Sequence, residues 1–499
     1  MFEKVLVANR GEIAVRVMRT LRELGIQSVA VYSEPDAHAP HVLAADEAFL
    51  IGPAPARESY LKISAILDAA RKTGAQAIHP GYGFLSENSS FAQACEQAEI
   101  VFIGPTADSM KKLGDKRAAR ETAKQLGVPT VSGENECDTP EQIRNAVQKI
   151  GLPVLLKASS GGGGKGMRLV HHTSELDEAI HASQREALSA FGDAQLMVEK
   201  FVSPARHIEI QFLSDAHGNV IALGERECSL QRRYQKIIEE APSAAVSSKL
   251  RDKTQEAACK LVRATGYRSA GTAEFLLGPD GNFYFLEVNT RLQVEHPVTE
   301  CVTGLDLVRK QIEIAAGEKL SLQQKDILLR GHAIEARLYA EDPSNRFLPT
   351  TGKILKLRWP TLPGVRIDGG IREGQEVLTY YDPLLAKVIA WGPDREQARQ
   401  RLVQALRETI LLGLVTNQSF LVQLLESEAF TSGRTFAHTV ESMDWEEINE
   451  RSKEAMLLAA TLALSAATKG QRAQGAGASV TSKDPYSPWE SLGRWRMLE

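Results

Sequence analysis

The chain has 499 residues, 43% of them hydrophobic, and a formal net charge of −4 at pH 7. A chain of this length is too long for a single hydrophobic core, so we expect several domains. Because charges of both signs are interspersed, the composition argues against a nucleic-acid-binding surface and against a polybasic membrane patch.

The sequence shows no sign of export or membrane insertion. The N-terminus enters a strand-like run without a signal peptide, and the longest apolar stretch, 456–467, would extend only about 18 Å as a helix, short of a bilayer core of about 30 Å. The five cysteines lie far apart and form no C-x-x-C pair, which argues against a disulfide framework or a zinc cluster. We therefore expect reduced thiols in a cytoplasmic protein.

The first hundred residues have the pattern of a parallel α/β sheet. Short β-prone runs between residues 4 and 105 alternate with helical stretches such as 12–24 and 60–72. The first strand-to-helix turn, at residues 8–12, lacks the spaced glycines of a dinucleotide fingerprint. A dehydrogenase that binds NAD or FAD is therefore disfavoured.

A glycine loop follows, made of Gly161, Gly162, Gly163, Gly164, Lys165 and Gly166. Consecutive backbone N–H groups and one lysine can bind a phosphate. Apolar runs on both sides predict that the loop is the tip of a β-hairpin. A Walker A site is excluded, because it needs Gly where this chain has Ser159 and Ser or Thr where it has Gly166. The alternative is a flexible linker.

A second hairpin is predicted between residues 272 and 289, with Asp280-Gly281 as a two-residue turn. This register places Glu274 opposite Glu287, and Asn289 shares their face. Facing carboxylates require a cation between them, which indicates Mg²⁺ that would bridge nucleotide phosphates. The alternative is a solvated pair with the register shifted by one residue.

The segment 291–297 alternates polar and apolar residues, which predicts an extended strand with Arg291, Gln293 and Glu295 on one side. A guanidinium can bind a small oxyanion, and an adjacent carboxylate can accept its proton. The alternative is a surface strand with a salt bridge. The mixed-charge run 225–240 is either a solvated face or the lining of an anionic site.

The C-terminal part is predicted to form a further domain over 331–445, which is richer in Pro, Gly and short strands. A helical stretch and a flexible linker follow. Beyond the linker, Trp489 and Trp495 either dock on a partner or pack on their own chain.

With these segments in chain order, residues 1–445 resemble the biotin carboxylase family of ATP-grasp enzymes. The motifs that carry the resemblance are the glycine loop and residues 8–14, 79–88, 231–233, 239–242, 287–291 and 293–300. The resemblance implies a multidomain α/β and α+β fold with a parallel pre-ATP-grasp domain (1–113) and an ATP-grasp domain (114–330). It also implies a mobile glycine-loop lid at about 131–203, a mixed β C-terminal domain (331–446) and a tail (447–499).

The resemblance also implies the roles of individual residues. ATP would be bound by the glycine loop and by Lys116, Lys157, Glu199, Lys200, Phe201, Val202, His207, Gln231, Glu274 and Glu287. Mg²⁺ or Mn²⁺ would be bound by Glu274, Glu287 and Asn289, and bicarbonate by Lys236, Arg291, Gln293 and Val294. Tyr82 and Arg337 would bind biotin, and Glu295, Arg291, Lys236 and Arg337 would be catalytic.

The implied reaction begins when Glu295 deprotonates bicarbonate, which attacks the γ-phosphate of ATP to give carboxyphosphate. This intermediate yields CO₂ and phosphate, the phosphate removes the N1′ proton of biotin, and Arg337 stabilises the enolate. One departure from the family is Tyr234, where His is frequent; we expect this change to be tolerated.

The sequence contains no Ala-Met-Lys-Met biotinylation motif, so the biotin would arrive on a carrier protein or on a longer form of the chain. The implied partners are a biotin carboxyl carrier protein, a carboxyltransferase and a second copy of the chain. The acceptor could be acetyl-CoA, as in fatty acid biosynthesis, or propionyl-CoA, methylcrotonyl-CoA or pyruvate. Another ATP-grasp ligase and a catalytically weak binding subunit are the alternatives.

Overall fold

The computed structural model describes residues 1–159 and 167–443, and the chain divides into two units after Met443. The glycine loop, Gly161 to Gly166, and the predicted helix, linker and tryptophan tail beyond residue 446 lie outside the described residues.

The N-terminal part is a parallel sheet of five strands with helices on both faces. The strands are β1 (Lys4–Val7), β2 (Gln27–Ser33), β3 (Glu47–Gly52), β4 (Ala77–His79) and β5 (Val101–Phe102), in the order β3-β2-β1-β4-β5. The helices are α1 (Gly11–Glu23), α2 (Pro40–Ala44), α3 (Ile63–Thr73), α4 (Ser89–Gln97) and α5 (Ala107–Gly114). Val5 and Val7 lie in one core and Leu6 in another, as alternation along a strand requires. The predicted parallel α/β fold is confirmed.

A smaller antiparallel sheet covers the region of the predicted lid. Its strands are β6 (Gly133–Cys137), β7 (Val154–Ala158), β8 (Arg168–Val170) and β9 (Leu196–Lys200), in the order β6-β9-β7-β8. Two helices pack on it, α7 (Pro140–Ile150) and α8 (Leu176–Phe191), whereas α6 (Lys116–Gln125), which precedes it in the chain, packs on the strand at residues 283–289. Thr139 and Gln142 form a capping box that fixes the start of α7. The strands β7 and β8 pair antiparallel, Val154 with Val170, so the predicted hairpin is confirmed up to its tip.

The largest element is an antiparallel sheet of eight strands. The remaining strands of the unit, in chain order, are β10 (Arg206–Ser214), β11 (Val220–Arg232), β12 (Gln235–Ala241), β13 (Ser269–Leu277), β14 (Phe283–Asn289), β15 (His332–Tyr339), β16 (Glu341–Asp342), β17 (Leu348–Pro349), β18 (Gly352–Lys353), β19 (Lys356–Arg358), β20 (Val365–Gly369), β21 (Glu376–Val377), β22 (Leu384–Gly392) and β23 (Ile410–Leu412). The order in the large sheet is β14-β13-β10-β11-β12-β15-β22-β20. Glu239 on β12 pairs with Glu335 on β15, so one sheet crosses the predicted boundary at residue 330. The domain limits themselves stay a prediction.

The helices of this part are α9 (Ser248–Thr265), α10 (His296–Thr303), α11 (Leu307–Ala315), α12 (Arg395–Glu408), α13 (Gln418–Glu426) and α14 (Glu428–Thr431). Ser247, Asp306 and Asp394 start α9, α11 and α12, each with a side chain that accepts a backbone N–H of the first turn. In the described ranges, no helix has the length and apolar content that crossing a bilayer would require.

The predicted two-residue turn at Asp280-Gly281 is wrong. β13 ends at Leu277, which pairs with Phe283, and the Gly278 N–H donates to the Asn282 carbonyl at 2.9 Å. The connection is therefore five residues long. A β-bulge between Glu274 and Phe275 shifts the register by one residue.

The mixed-charge run 225–240 forms the hairpin of β11 and β12. Its turn residues, Arg233 and Tyr234, have φ of 48° and 65°, the left-handed backbone that a tight hairpin turn requires. The Tyr234 side chain is exposed, whereas Arg226, Glu227 and Glu239 are buried. The run is therefore not a solvated face.

Candidate active site

The floor of the candidate site is a polar stripe along β10. His207, Glu209 and Gln211 alternate with the buried apolar residues Ile208 and Ile210, so the three polar side chains share one face of the strand. The strand lies between β11 and β13, and Glu209 pairs with Glu274 on one side and Arg226 on the other. Charged groups of three neighbouring strands thus meet at the middle of the sheet.

Lys236 is the central cation of the site. Its ammonium contacts the carboxylates of Glu209, Glu274 (3.0 Å) and Glu295 (2.8 Å). Burial would lower the pKa of Lys236, but the three carboxylates raise it well above its ordinary value. Burial would likewise raise the pKa of Glu295, and Lys236 is the first of the cations that hold it below its ordinary value. The pair is therefore ionised at neutral pH.

Arg226 is fully buried and donates hydrogen bonds to several side chains of the site. Its guanidinium donates to Glu209 at 3.0 Å and to Gln293 Oε1 at 2.6 Å. It also donates to Gln211, Thr272 and Thr299. Burial of a guanidinium is costly unless its donors are satisfied, and this arrangement satisfies them.

Glu274 and Glu287 occupy paired positions on β13 and β14, as predicted, because the bulge restores this register. Glu274 accepts hydrogen bonds from Asn289 (2.7 Å) and Gln293 (2.8 Å) and contacts His207 at 2.9 Å. The Glu287 carboxylate contacts Lys116 at 2.8 Å. Each of these two carboxylates therefore contacts a basic side chain.

The three predicted metal ligands fit a hard divalent cation. Glu274 and Glu287 offer carboxylate oxygens from adjacent strands, and Asn289 has an amide oxygen that in this conformation accepts from Arg291. Oxygen donors of these kinds are the ones that Mg²⁺ prefers. A second group, His207, Glu209 and Glu274, has donor atoms within 4.8 Å of one another. It fits less well, because Mg²⁺ prefers an all-oxygen donor set. Burial lowers the pKa of His207, but Glu274 and Glu209 raise it to about 9.

The segment after β14 is not the extended strand that its alternation predicts. Residues 294 and 295 form a turn, and α10 begins at His296 with Pro297 in its first turn. The predicted side chains nevertheless lie around one network. Gln293 donates to Glu274, Glu295 contacts Lys236, and the Arg291 guanidinium donates to Asn289 Oδ1 at 3.2 Å. The predicted strand is wrong, and the convergence of the three side chains on one bound anion stays a prediction.

Arg337 enters the site from β15. Its guanidinium donates to Glu239 (Nε, 2.6 Å) and to Glu295 (Nη2, 2.9 Å). Glu295 is thus held between Lys236 and Arg337.

Tyr82 lies in the N-terminal part, and the centre of its ring is 5.6 Å from the Lys387 ammonium.

The remaining residues predicted to bind ATP lie in the lid sheet or beside it. Lys157 contacts the Glu199 carboxylate at 2.5 Å. Lys200 donates to the carbonyls of Gly151 and Leu152, and Gln231 donates to the Cys228 carbonyl. Phe201 and Val202 follow β9 and precede β10. In this conformation the amines of Lys157 and Lys200 are therefore occupied by protein oxygens.

Glu209 and Arg226 were missing from the predicted site. The signal that could have found Glu209 is the period-two alternation from His207 to Gln211, since polar residues at alternate positions of an apolar strand mark a polar face. Glu87 was also missed; it accepts from the Thr290 N–H and from Arg291 Nε at 2.8 Å. Only the fold brings Glu87 to that position.

Three family models match the chain. Residues 1–110 match "Biotin carboxylase, N-terminal domain", 115–323 "Carbamoyl-phosphate synthase L chain, ATP binding domain" and 335–442 "Biotin carboxylase C-terminal domain". The biotin carboxylase of Nostoc is 50% identical over 444 residues, which cover 89% of this chain and 99% of the relative. The methylcrotonoyl-CoA carboxylase subunit alpha of Dictyostelium discoideum is 47% identical over 500 residues, 99% of this chain and 70% of the relative. The matches to methylcrotonoyl-CoA carboxylase α subunits cover between 60% and 70% of the length of those relatives.

The solved structures agree with the sequence relatives. The biotin carboxylase domain of Hydrogenobacter thermophilus 2-oxoglutarate carboxylase, in complex with MgADP, ADP and bicarbonate, superposes with a TM-score of 0.86. It is 45% identical to this chain, and the match covers 88% of this chain and 97% of that domain.

The fold and the site are those of an ATP-dependent carboxylating ligase. The matched models and relatives extend over both the N-terminal and the C-terminal parts of the described unit. The chain belongs to the biotin carboxylase family.

Proposed function

We propose that the pocket around Lys236 carboxylates biotin with bicarbonate at the expense of ATP. The observation that carries this proposal is the position of Glu295 between two cations, Lys236 at 2.8 Å and Arg337 at 2.9 Å. An ionised carboxylate can accept the proton of bicarbonate, and the two cations can hold the resulting anion. Arg291 and Gln293 add a guanidinium and an amide beside them.

The proton balance of the first step follows from these groups. Bicarbonate gives its proton to Glu295, its oxygen forms a bond to the γ-phosphorus of ATP, and the bond to ADP breaks. As bicarbonate takes a share of the positive charge of Lys236, Glu295 loses part of its stabilising partner and becomes a stronger base. Once carboxyphosphate has broken down to CO₂ and phosphate, and the phosphate has taken the N1′ proton of biotin, Arg337 can stabilise the negative charge that develops on biotin.

A divalent cation, Mg²⁺ or Mn²⁺, would be held by Glu274, Glu287 and Asn289 and would neutralise phosphate charge. Lys116 lies 2.8 Å from Glu287, where it can bind phosphate oxygens as the cation takes over the carboxylate. We assign the glycine loop and Lys157, Glu199, Lys200, Phe201, Val202, His207 and Gln231 to ATP. We assign Val294 to bicarbonate and Tyr82 to biotin.

We propose that the chain works with a biotin carboxyl carrier protein and a carboxyltransferase, as a homodimer in the cytoplasm. The methylcrotonyl-CoA class of acceptor is favoured by one observation. The match to the Dictyostelium α subunit covers 99% of this chain, whereas the match to the Nostoc biotin carboxylase covers 89%. Acetyl-CoA, and with it fatty acid biosynthesis, is the second candidate. Purification of the native complex, with identification of its transferase, separates the two.

The function is tested by ATP cleavage in buffers freed of CO₂. We expect ADP release to require added bicarbonate and to be stimulated by free biotin, because biotin consumes the carboxylated intermediate. Omission of Mg²⁺ should abolish the activity. ATP cleavage that is indifferent to bicarbonate would overturn the proposal, and cleavage that needs bicarbonate but ignores biotin would favour another carboxylating ligase.

A further inference from the structure

Two buried side chains that none of the predicted roles includes hold the backbone of the loop at residues 293–295. His296 contacts the Gln293 carbonyl, and Lys387 contacts the Val294 carbonyl. Both side chains are fully buried. The two carbonyls belong to consecutive peptide units, 293–294 and 294–295.

His296 fixes the first of these peptide units. Its Nδ1 lies 2.8 Å from the Gln293 oxygen, and because a carbonyl can only accept, Nδ1 must carry the proton. The carbonyl of Gln293 and the N–H of Val294 lie in one rigid plane. The backbone N–H of His296 also donates to this oxygen, at 3.3 Å, and together with this longer bond the imidazole sets the direction in which the Val294 N–H points.

His296 is suited to this task because it stays neutral. Burial lowers its pKa well below the ordinary value, and Lys387, Arg16 and Arg366 lower it further. Its Nε2 has no hydrogen-bond partner in residues 1–159 and 167–443 and lies 3.8 Å from Glu300. The direction of the Nδ1 hydrogen bond is thus independent of pH near neutrality.

Lys387 fixes the second peptide unit. Its ammonium donates to the Val294 oxygen at 2.9 Å and contacts Glu12 on α1 at 3.2 Å, with Asp368 at 3.9 Å. The peptide that contains the Val294 carbonyl also contains the N–H of Glu295. Lys387 therefore ties the backbone of Glu295 to the C-terminal sheet and to the N-terminal helix at once.

We propose that His296 and Lys387 are positioning residues of the bicarbonate site, which act by orienting the two peptide units on either side of Val294. This inference rests on the proposed function, since Val294 and Glu295 act there on bicarbonate. A donor fixed before the anion arrives loses no free energy to reorganisation when the anion binds. The two residues touch no substrate, and their effect passes through the main chain.

The first test replaces His296 in two ways. His296→Leu removes the Nδ1 donor, and we expect the KM for bicarbonate in ATP cleavage to rise about tenfold, the size of one hydrogen bond to a charged group. The dissociation constant for ATP, measured by calorimetry, should stay within about twofold. His296→Asn retains an N–H near the position of Nδ1 and should restore most of the bicarbonate KM.

A matched control separates positioning from general destabilisation. His41 is also fully buried, and the only hydrogen bond of its imidazole to a described residue goes to the Val31 carbonyl at 3.3 Å. We expect His41→Leu to lower the melting temperature as His296→Leu does and to leave the bicarbonate KM unchanged.

The second test addresses Lys387. Lys387→Met alone leaves the Glu12 carboxylate buried without its cation, so the double variant Lys387→Met, Glu12→Gln is compared with Glu12→Gln alone. The double variant should show the same rise of about tenfold in the bicarbonate KM. If the wild type requires bicarbonate and neither replacement moves this KM, the positioning role is overturned and the proposed function stands. A wild type that cleaves ATP without bicarbonate overturns the proposed function itself.

Discussion

At the scale of single residues, the site depends on how three carboxylates are kept ionised in a buried pocket. Glu209 shows the balance most clearly: burial would raise its pKa, but Lys236 leads the groups that lower it to about 2. Glu274 and Glu295 share the same ammonium. Glu295 can therefore accept a proton at any physiological pH, because it does not first have to lose one.

Replacement of Glu295 by Gln should abolish turnover and spare nucleotide binding. Glu295→Gln keeps the shape of the side chain but removes the proton acceptor, so we expect kcat for bicarbonate-dependent ATP cleavage to fall at least about 100-fold. The dissociation constant for ATP, measured by calorimetry, should change little. The control is Glu225→Gln, since Glu225 is another buried carboxylate of the same sheet that binds Arg251 at 2.6 Å. Retention of turnover in Glu295→Gln would remove this residue from its assigned role.

Sequence patterns located these residues well where the signal is local. The spacing of Glu274 and Glu287 around a Gly-containing turn predicted their pairing, yet it assumed a two-residue turn. The pairing is correct because the bulge at Glu274 and the longer connection at Gly278 compensate for each other. Arg226 could not be assigned a role from the sequence, because its partners come from β10, β13 and α10 and only the folded sheet brings them together.

At the scale of elements, the hairpin of β11 and β12 carries Lys236 and ends in a strained turn. Arg233 and Tyr234 both have positive φ, a conformation that costs a residue with a side chain roughly 1 kcal/mol. Alternation of charge along the run 225–240 left two interpretations open. The structure decides between them, because Glu239 and Glu240 are both buried, Glu239 against Arg337 and Glu240 against Arg395.

Substitutions of Tyr234 should separate turn strain from nucleotide binding. We expect Tyr234→Gly to raise the free energy of unfolding by up to about 1 kcal/mol, because glycine adopts positive φ without a steric cost. Urea denaturation measures this change. Tyr234→His, which restores the residue frequent in the family, should leave the KM for ATP within about twofold. A large fall in that KM would show that tyrosine weakens nucleotide binding.

At the scale of the whole molecule, a buried ionic network joins the N-terminal helix α1 to the C-terminal strands. Asp368 on β20 contacts Arg366 at 2.6 Å and Arg19 of α1 at 3.2 Å. Arg366 also contacts Glu300 of α10 at 2.7 Å, and Glu300 contacts Arg16 of α1 at 2.8 Å. Such a network is costly to break at one point, since the remaining charges stay buried without partners.

Replacement of Asp368 should destabilise the protein and reduce its sensitivity to acid. Asp368→Asn leaves Arg366 without its closest carboxylate, so we expect a loss of about 3 to 5 kcal/mol of unfolding free energy at pH 7. Burial would raise the pKa of Asp368, but Arg366 and Lys387 hold it far below the ordinary value. Its contribution to stability is therefore complete above the unfolded pKa of about 4 and is lost as pH falls through the lower folded pKa.

Urea denaturation between about pH 7 and about pH 2 measures both effects, because the contribution of Asp368 begins to fall only below the unfolded pKa of about 4. The wild type should lose stability on acidification, and Asp368→Asn should lose less over the same range, so that the two curves converge. Glu426→Gln is the control, because Glu426 forms an exposed ion pair with Arg407 at 2.9 Å and its removal should cost about 1 kcal/mol or less. Parallel curves for the wild type and Asp368→Asn would contradict the assignment of the acid sensitivity to Asp368, because the variant lacks the group whose protonation is held responsible.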